Sequence, residues 1–192
     1  MSGKGEAPFK EPWLVMAYLQ AFAAKAKGSY YEKYIESLHL GKSEKILEYG
    51  SGPGVASAYL AQALPQGHLT CVDISKVWIS FAKRAAGTYP NVDFMQGDLS
   101  ELKLEDESYD GIFVHFILHD IPESQRSEKV RLLVSKLKKG GKIYVREPTR
   151  EKHGMPGGEI QSIMTKHRLK EINSETGKSP QGFPTFQCIY VK

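Results

Sequence analysis

The chain has 192 residues, of which 41% are hydrophobic and 25% are charged, and its formal net charge is +4. This composition is typical of one folded domain, and it excludes a disordered segment, a collagen-like repeat and a disulfide scaffold. Cys71 and Cys188 lie in apolar surroundings without metal-ligand spacing, which indicates reduced cysteines of an intracellular protein. The charge balance is too mild to indicate a nucleic-acid partner.

An apolar segment near the N-terminus, WLVMAYLQAFAA at residues 13–24, is too short to span a membrane. It resembles the core of a signal peptide, but Glu6, Glu11 and Pro12 do not fit that pattern. We instead expect two helices within residues 13–38 that form a short lid on the domain. The sequence therefore predicts a cytoplasmic protein with no membrane partner.

From residue 45 onward, short apolar runs alternate with helical patterns. Such runs predict strands that are buried on both faces of a sheet. The predicted strands cover residues 45–49, 68–73, 92–96, 109–115, 142–147, 168–174 and 186–191. Helices are predicted over residues 76–86 after an N-capping Ser75, over 123–138 before the stop at Gly140 and Gly141, and near 159–166. This alternation predicts an α/β fold with a parallel sheet.

A glycine-rich turn follows the first predicted strand. Glycines at such a turn let the backbone approach a ligand, and the next helix offers N–H groups to an anion. The spacing fails the dinucleotide pattern, because Val55 stands at its third position. The pattern is instead Glu48-x-Gly50-x-Gly52-x-Gly54. It resembles the first motif of class I S-adenosylmethionine-dependent methyltransferases, in which the anion is the cofactor's carboxylate.

Acidic residues at two further strand ends support this resemblance. The resemblance implies that Asp73 accepts hydrogen bonds from the ribose hydroxyls of the cofactor and that Asp98 binds the adenine amino group. It also implies that Ile74 and Leu99 enclose the adenine. Taken alone, each aspartate is as well explained as a loop or cap residue.

The resemblance implies a Rossmann-like, seven-stranded, mostly parallel sheet with helices on both faces and an antiparallel last strand. Residues 1–192 then form a single domain, with residues 1–40 as N-terminal helices and residues 45–192 as the cofactor-binding core. The implied cofactor is S-adenosyl-L-methionine, with S-adenosyl-L-homocysteine as its product, and no metal is expected.

The segment after the fourth predicted strand resembles the Leu-His-Asp element of small-molecule O-methyltransferases. That resemblance implies that His119 deprotonates the acceptor hydroxyl and that Glu147 orients its imidazole. His115 is expected to line the cofactor pocket. Structural roles stay open, because Asp120 is also explained as a residue near a helix N-cap, and Glu147 as an ion-pair partner of a neighbouring arginine, Arg146 or Arg150.

The sequence thus predicts an enzyme that methylates a small-molecule acceptor, at oxygen. Two alternatives stay open at this point. One is a methyltransferase acting on protein or RNA, and the other is a cofactor-binding regulatory protein without catalysis. The oligomeric state is left open as well.

Overall fold

The computed structural model describes residues 9–192. Its centre is one seven-stranded sheet with the order β3-β2-β1-β4-β5-β7-β6, in which only β7 runs antiparallel to its neighbours. The strands are β1 (Lys45–Tyr49), β2 (His68–Asp73), β3 (Val92–Gln96), β4 (Tyr109–His115), β5 (Leu137–Pro148), β6 (Lys170–Lys178) and β7 (Pro184–Val191). The predicted seven-stranded fold with an antiparallel last strand is confirmed.

Helices cover both faces of the sheet. They are α1 (Leu14–Lys25), α2 (Gly28–Ser37), α3 (Val55–Ala63), α4 (Lys76–Ala86), α5 (Glu123–Lys136) and α6 (Gly157–Lys166), with a short 3-10 helix at Leu118–Asp120. Successive strand residues point to opposite faces, so that Ile46 packs with α2 and α3 whereas Leu47 packs with α5 and α6. Most residues of the central strands β1, β2 and β4 are therefore buried.

The prediction for the end of α5 is wrong. The helix does not continue to the glycine pair, because it ends at Lys136 and β5 begins at Leu137. Leu137 pairs with Tyr109 of β4, and this pairing in the sheet ends the helix one residue earlier. Strands β6 and β7 also extend further toward each other than predicted, to Lys178 and from Pro184, which shortens the loop between them.

The turn after β1 has an unusual backbone that requires glycine. Gly50 and Gly54 have φ angles of +79° and +78°, in the left-handed region. Gly54 also lies against α4, where an added Cβ would come within 2.5 Å of the Ala82 Cα. The turn can therefore pack between β1 and α4 only because these positions lack a side chain.

The substitution Gly54→Ala should lower the free energy of unfolding by about 2–4 kcal/mol, because backbone strain adds to a steric clash. Gly182→Ala is a matched control, since Gly182 has a φ of +84° but no atom among residues 9–192 lies within 4 Å of the added Cβ. It should cost only about 1–2 kcal/mol. Denaturant titration measures both losses, and equal losses would contradict the close packing of the turn against α4.

Candidate active site

A cavity of about 640 Å³ opens at the carboxyl ends of the central strands. Open α/β sheets bind ligands at this edge, and the volume is within the usual range for small-molecule sites. All eight residues predicted to bind a cofactor line the cavity: Glu48, Gly50, Gly52, Asp73, Ile74, Asp98, Leu99 and His115. The structure therefore brings together residues that lie up to 67 positions apart in the sequence.

Asp73 stands at the end of β2 with both carboxylate oxygens held by the backbone. Oδ2 accepts a hydrogen bond from the Gly52 N–H at 2.9 Å, and Oδ1 accepts one from the Ser75 N–H at 2.9 Å. Burial raises the pKa of Asp73 above its usual range, and the two N–H groups partly offset this effect. Each oxygen keeps a lone pair, so the fixed carboxylate can still accept hydrogen bonds from a pair of ligand hydroxyls.

Glu48 is a buried carboxyl group at the end of β1. Its Oε2 accepts a hydrogen bond from the Ser57 Oγ of α3 at 2.5 Å. Burial raises the pKa of Glu48 to about 7, although the Ser57 hydroxyl favours the ionised form. A positively charged ligand group beside Glu48 would therefore strongly favour its ionisation.

Asp98 carries an ion pair that the sequence did not predict. The Lys129 Nζ of α5 lies 2.5 Å and 2.6 Å from its two carboxylate oxygens, and both residues line the cavity. Burial opposes ionisation of Asp98, but Lys129 and Ser100 outweigh it and lower its pKa. Lys129 was missed because its distance to Asp98 depends on how α5 is rotated against the sheet.

His115 lies in an aromatic wall of the cavity. Its ring centroid is 4.3 Å from that of Phe116 and 5.1 Å from that of Tyr31, and Tyr31 comes from α2 of the N-terminal helices. Burial, and then the charge of Arg146, lower the pKa of His115 to about 3. The imidazole is therefore neutral at pH 7. Its Nε2 is buried without a hydrogen-bond partner among residues 9–192.

Arg146 is a buried cation that anchors α2 to the sheet. Its guanidinium lies 3.4 Å from the ring centroid of Tyr34 and 4.7 Å from that of Tyr30, and its Nε donates a hydrogen bond to Gln187 of β7. Among the described residues, no carboxylate forms an ion pair with it. The Arg150 Nε donates to the His153 carbonyl, so neither arginine pairs with Glu147, and that alternative is wrong.

The partner of Glu147 is His119, as the O-methyltransferase resemblance implies. The His119 Nδ1 lies 2.7 Å from the Glu147 Oε2. The other oxygen, Oε1, accepts hydrogen bonds from the N–H groups of Ile117 and Leu118 at 2.9 Å and 2.8 Å. Burial lowers the pKa of His119, but the hydrogen bond and charge of Glu147 outweigh it, so the pKa is raised.

His119 and Glu147 do not themselves line the cavity, whereas the neighbouring Asp120 and Ile121 do. The interpretation of Asp120 as a residue near the helix N-cap is not supported by a cap bond. Asp120 ends the 3-10 helix, the N-cap of α5 is Pro122, and the Asp120 Oδ1 lies 3.4 Å from the His119 Nε2. The predicted pair is formed, but it stands just behind the cavity wall.

The cavity offers groups that suit a zwitterionic nucleoside ligand. Acidic residues at the ends of β1 and β2 and just after β3 line the cavity, and two buried polar atoms of lining residues have no partner within residues 9–192, the Ser51 Oγ and the His115 Nε2. At Gly52, no atom of the described chain lies within 4 Å of an added Cβ, so the turn leaves open space. These features fit the cofactor that the resemblance implies.

The comparisons with known proteins agree with this geometry. A family model described as a methyltransferase domain matches residues 46–141, which is half of the chain. The chain belongs to this methyltransferase family. The resemblance to class I S-adenosylmethionine-dependent methyltransferases is thereby confirmed.

This methyltransferase is similar to several curated relatives. It is 32% identical to the arsenite methyltransferase of Rattus norvegicus over 112 residues, which cover 52% of this chain and 30% of the relative. It is 34% identical to the phosphoethanolamine N-methyltransferase of Triticum aestivum over 109 residues, which cover 56% of this chain and 21% of the relative. The chain thus spans less than half the length of these relatives.

A solved structure supports the fold over more of the chain. The N-methyltransferase NodS from Bradyrhizobium japonicum, in complex with S-adenosyl-L-homocysteine, superposes with a TM-score of 0.69 at 16% identity. The match covers 84% of this methyltransferase and 85% of NodS.

None of the helices within residues 9–192 is both long and apolar enough to cross a membrane. Within the same residues, His, Cys, Asp and Glu form no group of three or more that could hold a metal ion.

The substitution Glu147→Gln should cost about 1–3 kcal/mol of unfolding free energy, because three hydrogen bonds lose their charged acceptor. The raised pKa of His119 determines how the stabilisation by the His119–Glu147 pair depends on pH. The pair stabilises the fold fully below the unfolded pKa of about 6.5, and this contribution is lost as the pH rises through the folded pKa. Denaturant titrations should therefore show a larger loss at about pH 6 than at about pH 9.

The exposed Glu151 on the loop after β5 provides the control. Glu151→Gln should change neither the free energy of unfolding nor its dependence on pH. An NMR titration of His119 should show a lower pKa in Glu147→Gln than in the parent. An unchanged pKa would exclude Glu147 as the group that raises it.

Proposed function

We propose that this protein transfers a methyl group from S-adenosylmethionine to a small-molecule acceptor, at oxygen. The observation that carries the proposal is that all eight predicted cofactor residues surround one cavity. S-adenosylmethionine is the cofactor of this methyltransferase family, and when bound it supplies an activated methyl group on a sulfonium. Because the transfer is an in-line displacement, positioning of the two reactants supplies much of the acceleration.

The residues of the cavity suggest how the cofactor would be held. The carboxylate of Asp73 is fixed for the ribose hydroxyls, and Asp98 with the buried Leu99 and the half-exposed Ile74 would hold the adenine. Glu48 would meet the ammonium of the methionine end, which favours its ionised form. The first turn of α3 presents backbone N–H groups and the positive end of its dipole to the carboxylate.

A small acceptor is supported by the names of the relatives, arsenite methyltransferase and phosphoethanolamine N-methyltransferase, which both specify small molecules. The second name specifies nitrogen, so the proposal of oxygen depends on the His119–Glu147 pair. A hydroxyl acceptor is mostly protonated at pH 7 and needs a base, and Glu147 holds the His119 imidazole through Nδ1. In this arrangement Nε2 is the nitrogen that takes the proton. The catalytic roles of both residues, and the cytoplasmic location, stay predictions.

The experiment that tests the proposal is radiolabelled methyl transfer from S-adenosylmethionine into a cell extract that is split into small-molecule and macromolecular fractions. Label in the small-molecule fraction supports the proposal and provides the product for identification. Label only on protein or RNA would replace it with the macromolecular alternative. Binding of the cofactor without label in either fraction would favour a regulatory protein.

The substitution Asp73→Ala should weaken S-adenosylhomocysteine binding at least about tenfold, because the acceptors for the ribose hydroxyls are lost. Calorimetric titration measures the affinity. Asp73→Asn separates binding from folding, because it keeps the shape of the side chain. Asp93→Ala is the matched control, since the side chain of this exposed aspartate of β3 bonds only to the half-buried His68 among the described residues. The Asp93→Ala variant should bind S-adenosylhomocysteine as tightly as the parent. Unchanged affinity in both Asp73 variants would exclude the ribose assignment.

The substitution His119→Ala should lower the turnover number by about 10²–10⁴-fold while cofactor affinity changes little, because a general base acts in the chemical step. The acceptor for this assay is the unmethylated form of the product that the extract experiment identifies. His39→Ala, at an exposed histidine away from the cavity, should keep full turnover. If the His119→Ala variant has the same turnover number as the parent, His119 is not the general base and has only a structural role.

A further inference from the structure

Helix α1 presents large apolar side chains to solvent, whereas the residue that it buries is an alanine. Ala17 is fully buried, whereas Trp13 is 81% exposed and Phe22 is 76% exposed. Val15, Met16, Leu19 and Phe22 lie on one side of α1, with Trp13 and Leu14 at its N-terminal end, and all six, called here the apolar face of α1, are at least half exposed. A surface helix normally buries its apolar side, and contiguous exposed apolar patches of this kind mark interaction sites.

The orientation of α1 is held by specific contacts with α4. The carboxylate of Glu11, just before α1, accepts hydrogen bonds from the Ser75 Oγ at 2.5 Å and from the Lys76 N–H at 2.8 Å. About two turns further along α4, the Arg84 Nη1 donates to the Tyr18 hydroxyl at 2.9 Å. The apolar face is therefore turned outward by contacts that fix the other side of the helix.

The α1 region and helix α4, which packs against it, are rich in basic residues. Residues 9–28 and α4 together contain six basic side chains and one acidic side chain: Lys10, Lys25, Lys27, Lys76, Lys83 and Arg84 against Glu11. Their net charge is +5, while that of the whole chain is +4, so the rest of the chain has a net charge of −1. The positive charge of the protein is thus concentrated where its largest exposed apolar face lies.

We propose that α1 and the basic residues around it dock on the surface of an anionic lipid bilayer. An interfacial helix combines outward Trp, Phe and Leu side chains with cations beside them, and its affinity adds buried apolar area to attraction for anionic headgroups. The proposal departs from the expectation of no membrane partner, which depended on the lack of a spanning segment. A helix that lies in the interface does not need to span.

Two other occupants of this face fit the charges less well. Residues 1–8 contribute only Met1, Ala7 and Pro8 as apolar residues, which is too little to cover six large side chains. A symmetric dimer through α1 would bring two surfaces of charge +5 together, and like charges in contact oppose association.

Docking through α1 would also orient the cavity. Phe9 and Gln20, from the α1 region, line the cavity together with Trp78 of α4. The cavity rim therefore lies beside the docking face, and an apolar acceptor would reach it from the bilayer. This consequence depends on the proposed methyl transfer, whereas the docking itself does not.

The test uses the full chain and vesicles of equal parts phosphatidylglycerol and phosphatidylcholine, with pure phosphatidylcholine vesicles for comparison. Co-sedimentation should occur with the anionic vesicles and should weaken as salt is added. The fluorescence of Trp13 should shift to the blue on binding, and a Trp78→Phe variant removes the other tryptophan. Cofactor and acceptor are left out, so that failure of docking is separate from failure of the proposed enzyme activity.

A double variant, Trp13→Ser with Phe22→Ser, should weaken vesicle binding at least about tenfold, since it removes two apolar anchors. Ile172→Ser is the matched control, because Ile172 is a 51% exposed apolar residue on β6, at the far edge of the sheet, and it should bind like the parent. In the same way, Lys25→Glu with Lys83→Glu should weaken binding, whereas Lys170→Glu with Lys178→Glu on β6 should not.

Circular dichroism establishes that each variant is folded. Three results would overturn the proposal: no binding of the folded parent to anionic vesicles, equal binding by the Trp13 and Phe22 double variant, or equal binding to neutral vesicles. A dimer in sedimentation equilibrium that the double variant dissociates, without vesicle binding by the parent, would replace the bilayer with a second copy of the chain.

Discussion

The edge of the cavity depends on one buried carboxylate, Glu147. It sits at the end of β5 and is fully buried, yet its oxygens accept hydrogen bonds from two backbone N–H groups beyond β4 and from His119. A buried carboxylate without such partners would be very costly, and with them it fixes the chain around it. These hydrogen bonds hold the segment after β4 against the neighbouring strand β5. His115 and Phe116 of the aromatic wall directly precede that segment, so their positions depend on it.

The three acidic residues of the cavity differ in their electrostatic surroundings. The pKa is raised to about 7 at Glu48 by burial, is raised at Asp73 for the same reason, and is lowered at Asp98 by Lys129 and Ser100. This order suits a ligand that places a cation beside Glu48 and a neutral base beside Asp98. Ionisation of Glu48 would then accompany binding, while Asp98 is ionised beforehand.

Much of the fold could be predicted because the strands are short apolar runs between clear breaks. The bounds of β1 to β4 agree with prediction, since each strand is a short run between clear breaks, and β1, β2 and β4 are buried for most of their length. The end of α5 could not be predicted, because the residue that ends the helix, Leu137, is decided by pairing with Tyr109 across the sheet. Helix propensity gives no information about that long-range contact.

The residues of the site likewise divide into those that the sequence predicts and those that depend on packing. Its strand-end residues could be found from spacing, because parallel strands bring their carboxyl ends to one edge. Lys129, Ser57 and Tyr31 lie on helices, and their approach to the cavity depends on how each helix is rotated and packed. The outward face of α1 was missed for a related reason. The apolar run at residues 13–24 predicts a helix but not which side of it faces the protein.

The glycine turn and the loop after β4 meet where Gly50 faces Ile117. A Cβ at Gly50 would lie 2.6 Å from the Ile117 Cγ1, so the two loops interlock without spare volume. Ile117 is also held by its N–H bond to Glu147. Substitutions at these two positions are therefore linked, because a side chain at position 50 needs a smaller residue at position 117 in addition to bearing the strain of a positive φ. Redesign of the acceptor side that enlarges position 117 would displace the turn that receives the cofactor.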